Sequence, residues 1–291
     1  MNFDNPAWRA TPLRTGFRVF KSLLRRRLRG FSTVPVRYDQ ARSLIYADLG
    51  TPLGLELYRY GHRDPDIDLV GRLLSPGDTF VDGGANVGLF TLVAAERVGN
   101  LGKVVAYEPG RGVRARLLEN VALNRLTQVE VLPLALSSAP GEANFQEFDI
   151  AGAGLNHLVP GGVENGHVDT VKLTTLDASL PEPARASLSL IKFDLEGAEH
   201  AALLGSSGVL SASHPDLLLE IEAAHLARMG SSPEAVAELL RGHGYEFFRP
   251  AADGDAVCLT RLSDIASSAA APNVFATVDP GRARRSGIRF R

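Results

Sequence analysis

Five acidic residues stand where hydrophobic runs of this sequence stop. Asp82 ends TFVD, Glu108 ends VVAYE, Asp194 and Glu196 follow LSLIKF, and Glu220 closes PDLLLE. At the end of an apolar strand a carboxylate lies on the rim of a sheet, where it can accept hydrogen bonds, attract a cation or take up a proton. After Asp82 the chain reads DGGANVG, with glycines at 83, 84 and 88 around Asn86. Gly84 and Gly88 carry no Cβ, so they permit a tight turn and a close approach of backbone to ligand. A helix starting near Gly88 or Leu89 aims its free N–H groups at the same point. A dinucleotide site would ask for GxGxxG here, and Asp82 would repel a pyrophosphate. An acidic rim suits a cationic ligand instead.

Glu108 follows Asp82 by 26 positions and ends the next strand, the place from which an acid accepts hydrogen bonds from both ribose hydroxyls. That feature points to a nucleoside without saying which. The spacing D-x-G-x-N-x-G through Asp82, Gly84, Asn86 and Gly88 resembles the first motif of S-adenosylmethionine-dependent methyltransferases, whose donor carries an ammonium and a sulfonium. Over roughly residues 54–278 the chain resembles the FkbM-type methyltransferases. The resemblance rests on VDGGANVGLFTLVAAERVG, VVAYEPGRGVRARLLENVALN, PLALSSAPGEANF, TTLDASL, SLIKFDLEGAEHAALLGSSGVL and PDLLLEIE, with IKFDLEGAEHAAL the distinguishing block. Gly83 departs from the valine common in that family and is expected to add local backbone freedom. The resemblance implies an S-adenosylmethionine (SAM) dependent O-methyltransferase acting on a hydroxyl of a saccharide, glycolipid or polyketide-type product. It also implies that Ala135 and Leu136, closing the third strand, hold the adenine.

Methyl transfer to a hydroxyl asks for alignment and for a base, because a neutral hydroxyl is a poor nucleophile. Asp194 is the first choice as base. Glu196, His200 and Glu220 complete the catalytic candidates; Glu222 alternates with Glu220, and Glu199 precedes His200. A second reading lets Asp194 and Glu196 hold a divalent cation that acidifies the hydroxyl; no metal ligand is assigned. His157 and His167, in a glycine-rich stretch, carry weaker expectations, and Asn120 is placed either around the cofactor loop or in helix packing.

Positioning these groups requires strands alternating with helices. TFVDG, GKVVAYEP, VEVLPLAL, LSLIKF and PDLLLEIE read as strands, separated by LFTLVAAERVG, VRARLLENVALN and GAEHAALLG as helices. SSPEAVAELLRGHG reads as a helix starting at Ser231, and YEFFRP with AVCLT as a closing hairpin. The expected fold is α/β: a class I methyltransferase fold, its mostly parallel doubly wound sheet ending in an antiparallel C-terminal hairpin strand. Residues 140–170 break the rhythm and read as an excursion near the substrate, partly paired through ANFQEF and VDTVKLT.

The expected domains are a basic amphipathic appendage (1–30), a methyltransferase domain (31–278) and a basic tail (279–291). Residues 9–29 hold eight basic residues and no acidic one, with Phe17, Phe20, Leu24 and Leu28 at helical spacing, and 282–291 hold five more basic residues. Such a helix either packs on the domain or makes peripheral membrane contact. The body between the ends carries 18 basic against 32 acidic residues, which argues against a nucleic-acid groove. Cys258 is the only cysteine, which excludes an intramolecular disulfide and fits a cytoplasmic setting. No apolar run approaches the roughly 18 residues of a membrane span. Three rivals remain: an NAD-dependent oxidoreductase, disfavoured by the missing GxGxxG; a nucleic-acid N-methyltransferase, which would carry D/N-P-P-aromatic in place of FDLEG; and a non-catalytic membrane-surface protein keeping the fold.

Overall fold

Continuous apolar runs imply strands covered on both faces, and TFVDG and LSLIKF are indeed buried at every position. The computed structural model describes residues 33–148, 156–159, 167–254, 256–265 and 273–291; the appendage 1–30, including 9–29, lies outside the described residues. In chain order the elements are β1 (Thr33–Tyr38), β2 (Ser43–Asp48), α1 (Pro52–Arg59), α2 (Pro65–Leu73), β3 (Thr79–Gly83) and α3 (Leu89–Val98). Then come β4 (Lys103–Tyr107), α4 (Arg111–Leu123), β5 (Val129–Leu132), β6 (Leu134–Leu136), β7 (Gly141–Glu147), β8 (His157–Leu158) and β9 (His167–Thr174). They are followed by α5 (Leu176–Ser179), α6 (Glu182–Ala186), β10 (Leu188–Phe193), α7 (Glu199–Leu204), α8 (Ser207–Ser213), β11 (Asp216–Glu220) and α9 (Ala223–Arg228). The described chain closes with α10 (Pro233–Gly242), β12 (Glu246–Asp253), β13 (Ala256–Leu262), β14 (Asn273–Thr277), α11 (Pro280–Arg285) and β15 (Arg289–Phe290).

Nine strands form the main sheet in the order β15-β13-β12-β14-β11-β10-β3-β4-β5. The run β11-β10-β3-β4-β5 is parallel, whereas β14 is antiparallel to both β11 and β12. The sheet is therefore mixed. Strand β12 turns back as β13, and NVFAT, as β14, inserts between that pair and the parallel half. Successive residues serve opposite faces: Leu217 and Leu219 join one core with Ile191 and Val81, and Leu218 the other with Phe80 and Phe275.

Three local readings are corrected. VEVLPLAL is not one strand. Pro133 offers no N–H, and beyond it β6 leaves the main sheet to pair with β9 in a second, four-stranded sheet of order β6-β9-β7-β8. In that sheet ANFQEF pairs with VDTVKLT along β7 and β9. Helix α10 is capped by Ser232, not Ser231: its side chain accepts from the Ala235 N–H, with Pro233 in the first turn. Residues 279–291 are no free tail, since α11 packs in the core through Ala283 and β15 extends the main sheet beside β13.

Candidate active site

β3 and β10 lie side by side with Asp82 opposite Lys192 in register, so the first carboxylate of the sequence meets a buried ammonium. Asp82 accepts a 2.5 Å hydrogen bond from Thr91 Oγ1 and lies 3.6 Å from Lys192 Nζ. It is buried and is not part of the cavity wall, so it does not face a cationic ligand as its position in the motif suggested. Its role is to anchor Lys192. That lysine donates to the carbonyls of Gly84 (2.8 Å) and Gly83 (3.3 Å), reaches Asp194 Oδ2 at 3.3 Å, and lies 5.2 Å from the centre of the Phe90 ring. Burial alone would lower the Lys192 pKa, but Asp194 and Asp82 outweigh it and hold it above the ordinary lysine value.

The glycines of DGGANVG answer to packing as much as to a ligand. Gly84, at φ +71°, sits against β10's exit so closely that a Cβ would overlap the Asp194 carbonyl oxygen. Gly88, at φ +97°, lets α3 start against Leu117 of α4 and is not on the cavity wall. At Gly83 the missing side chain makes room for the Phe193 ring, so this residue supplies space and not backbone freedom. Asn120 settles between its two readings in favour of the loop and packing together: it donates to the Val87 carbonyl at 2.9 Å and accepts from the Tyr46 N–H at 2.8 Å.

Glu108 joins the two loops at the sheet rim. It accepts from the Asn86 and Gly110 N–H groups, each at 2.8 Å, and each oxygen keeps acceptor capacity for a further donor. Burial pushes its pKa up to about 7, against the pull of those two amides. Gly84, Asn86, Glu108, Ala135, Leu136, Asp194, Glu196 and Glu220 all line one cavity of about 230 Å³. Phe145 and Leu158 from the small sheet face the same space, as does Asn156, whose Nδ2 finds no partner among the described residues.

The remaining acids gather where β10 and β11 end. Asp194 keeps 41% of its side chain exposed. Glu196, at φ +54°, occupies a left-handed turn with Gly197, which packs against the His225 backbone of α9. Glu199 is buried and folds back to accept from the N–H groups of Leu195 (2.6 Å) and Gly197 (3.0 Å), so it supports the turn from below. Glu220 is pushed up to about 9, first by burial and then by Asp194, Glu196 and Glu199, while Glu196 and Glu199 are each raised to about 7, chiefly by burial. His200 is not brought to the site: its Nδ1 pairs with Ser231 Oγ at 2.8 Å, away from the cavity wall. Glu222 caps α9 outside the wall, and His157 belongs to the small sheet.

Sequence reasoning missed two residues here. Lys192 could have been found as the only charge inside LSLIKF, where a lysine is tolerated only if paired. His225, 3.0 Å from Glu196 and 4.0 Å from Glu220, left no signal, because its place depends on how α9 turns back.

These raised carboxylates make stability depend on pH. Each binds its proton more tightly folded than unfolded, and so does Asp216, raised to about 6 chiefly by burial. The stabilisation these protons contribute is full below the unfolded values near 4 and is lost as pH rises through about 6 (Asp216), 7 (Glu108, Glu196, Glu199) and 9 (Glu220). The melting temperature of the ligand-free protein is expected to fall steadily from pH 6 to pH 8.5. A flat or rising profile by calorimetry would contradict these assignments.

The parallel run β11-β10-β3-β4-β5, with an acid near the end of β3 and another just past β4, continued through the antiparallel β14, is that of a class I methyltransferase fold. The match of residues 82–247 to the methyltransferase FkbM domain goes further: the chain belongs to the FkbM methyltransferase family. A curated relative, the AMB antimetabolite synthetase AmbE of Pseudomonas aeruginosa, is 28% identical over 232 residues, covering 67% of this chain. The chain spans 11% of that relative's length. Among solved structures, a methyltransferase FkbM from Methylobacillus flagellatus is 18% identical at a TM-score of 0.40, with 84% of this chain and 57% of that one covered. A methyltransferase from Streptococcus mutans in complex with SAH is 11% identical at a TM-score of 0.39, covering 74% and 97%.

Proposed function

We propose that the cavity binds S-adenosylmethionine and that the chain transfers its methyl group to a hydroxyl of a saccharide, glycolipid or polyketide-type acceptor. The observation that carries this reading is a single cavity lined by Glu108, by apolar residues and by the carboxylates of Asp194, Glu196 and Glu220. The residues fit such a donor. Glu108 would hold the ribose, Ala135 and Leu136 the adenine, and the strand-end acids would lie toward the cationic part. When bound, the donor supplies an electrophilic methyl carbon with a ready leaving group.

The chain's own contribution is alignment and proton removal. Asp194 is the carboxylate that is both on the wall and open to solvent, so an incoming hydroxyl can reach it; Lys192 fixes its orientation from 3.3 Å. Burial and the neighbouring carboxylates push Glu220 up to about 9, which leaves the more exposed Asp194 as the acceptor of the hydroxyl proton.

Glu108→Ala is expected to weaken SAM binding by about 1.5–3 kcal/mol, the range for hydrogen bonds to a charged group. Because burial raises Glu108 to about 7 and the ionised form is the acceptor, wild-type affinity should also climb between pH 6 and pH 8. In the variant that climb disappears. Calorimetry finding equal affinities would remove the ribose assignment. The reading as a whole is tested by a SAM titration followed by a methyl-transfer screen against saccharide, glycolipid and polyketide acceptors; absence of SAM binding would favour a non-catalytic protein.

A further inference from the structure

Beside the base, Glu196 and Glu220 meet a histidine, His225, to which the proposed transfer gives no role. Glu196 Oε2 is 3.0 Å from His225 Nδ1, and Glu220 Oε2 is 4.0 Å from the same nitrogen. One ligand atom from each of the three residues falls within 4.8 Å of the others. Donor atoms bound to one ion at about 2.0–2.2 Å stand roughly 3.0–4.2 Å apart, so both measured separations suit a shared ion. Glu220 Oε2 and His225 Nδ1 are buried atoms that make no hydrogen bond of acceptable geometry among the described residues, and the Glu196 carboxylate at 3.0 Å faces His225 Nδ1 without one. Unsatisfied buried polar atoms are uncommon in folded proteins, and here two of them converge on one point.

Charge and rigidity agree with the distances. Asp194, Glu196, Glu199 and Glu220 crowd together here, and Lys192, the buried cation beside them, is shared among Asp82, Asp194 and the Gly83 and Gly84 carbonyls. The three donors come from the β10–α7 turn, the end of β11 and helix α9, so their spacing is set by separate elements. The Glu196 turn is fixed to α9 twice, by the fit of Gly197 on the His225 backbone and by a 2.7 Å hydrogen bond from Arg228 to the Glu196 carbonyl.

We propose that Glu196, Glu220 and His225 form a binding site for one divalent first-row cation. An imidazole with two carboxylates favours manganese or zinc over magnesium, which prefers an all-oxygen shell. Three protein ligands leave coordination positions open, and Glu196 and Glu220 both line the cavity, so the open side faces the acceptor end. Resting on the methyl-transfer reading, the ion would bind the acceptor hydroxyl and acidify it, with Asp194 taking the released proton. Cation binding itself needs neither donor nor acceptor.

The test uses the full chain without SAM. Manganese(II) titrated into it is followed by the loss of the free-ion electron paramagnetic resonance signal, with zinc as competitor. One ion per chain is expected, displaced by zinc, with affinity lowered at least about 10-fold in His225→Ala and in Glu220→Gln and unchanged in His200→Ala. Should His225→Ala fail to fold, His225→Asn replaces it and is expected to show the same loss. No retained manganese at 1 mM (an order-of-magnitude ceiling, about the weakest useful site), or retention unaltered by the Glu220 and His225 substitutions, overturns the proposal. Either result leaves the SAM titration untouched, so this site and the methyl-transfer reading fail separately.

Discussion

Asp194→Asn is expected to lower methyl-transfer turnover at least about 100-fold while SAM affinity stays within about two-fold, the signature of losing a proton acceptor and not a binding contact. The asparagine keeps the shape of a side chain that lies at the solvent-open end of the cavity, so folding should be preserved. Asp194's backbone, not its side chain, carries the contact with the Gly84 loop, which protects that loop in the variant. The residual rate should also lose whatever pH dependence the base confers. Turnover equal to wild type, measured with saturating donor, would place the base elsewhere; a matched drop in SAM affinity would mean that Asp194 grips the donor.

The second large effect is structural. Lys192→Met removes the ammonium that compensates Asp82, and stripping one partner from a buried ion pair costs about 3–5 kcal/mol because the other charge is left behind. At about 2–4 °C per kcal/mol, the melting temperature should fall by about 6–20 °C. Burial already pushes the Asp82 carboxyl up, and without Lys192 its charged form is costlier still, so the deficit should be smaller at pH 5 than at pH 8. Adding Asp82→Asn to Lys192→Met should recover much of the loss. A Lys192→Met protein that melts with wild type would show that the pair contributes nothing to stability.

Strand-end acids and glycine turns were legible in the sequence because they obey local rules: period-2 burial, punctuation by glycine and proline, and a charge at the end of each run. Glu108, Asp194 and Glu220 lie on the cavity wall, together with Gly84, Asn86, Ala135 and Leu136. What local rules cannot see is the partner across a strand pair. Asp82 looked like a ligand contact until its register placed Lys192 opposite, and His200 looked catalytic until Ser231 claimed its ring. His225 joins Glu196 and Glu220 only through the path of α9, a tertiary fact with no sequence signature.

Pro133 has a consequence for how this cavity can be altered. Because β6 departs there for the small sheet, Ala135, Leu136, Phe145 and Leu158 reach the cavity from a single four-stranded unit. Exchanging β6 to β9 between relatives would therefore change these four apolar lining residues together, while Glu108, Asp194, Glu196 and Glu220 stay on their own strands and turns.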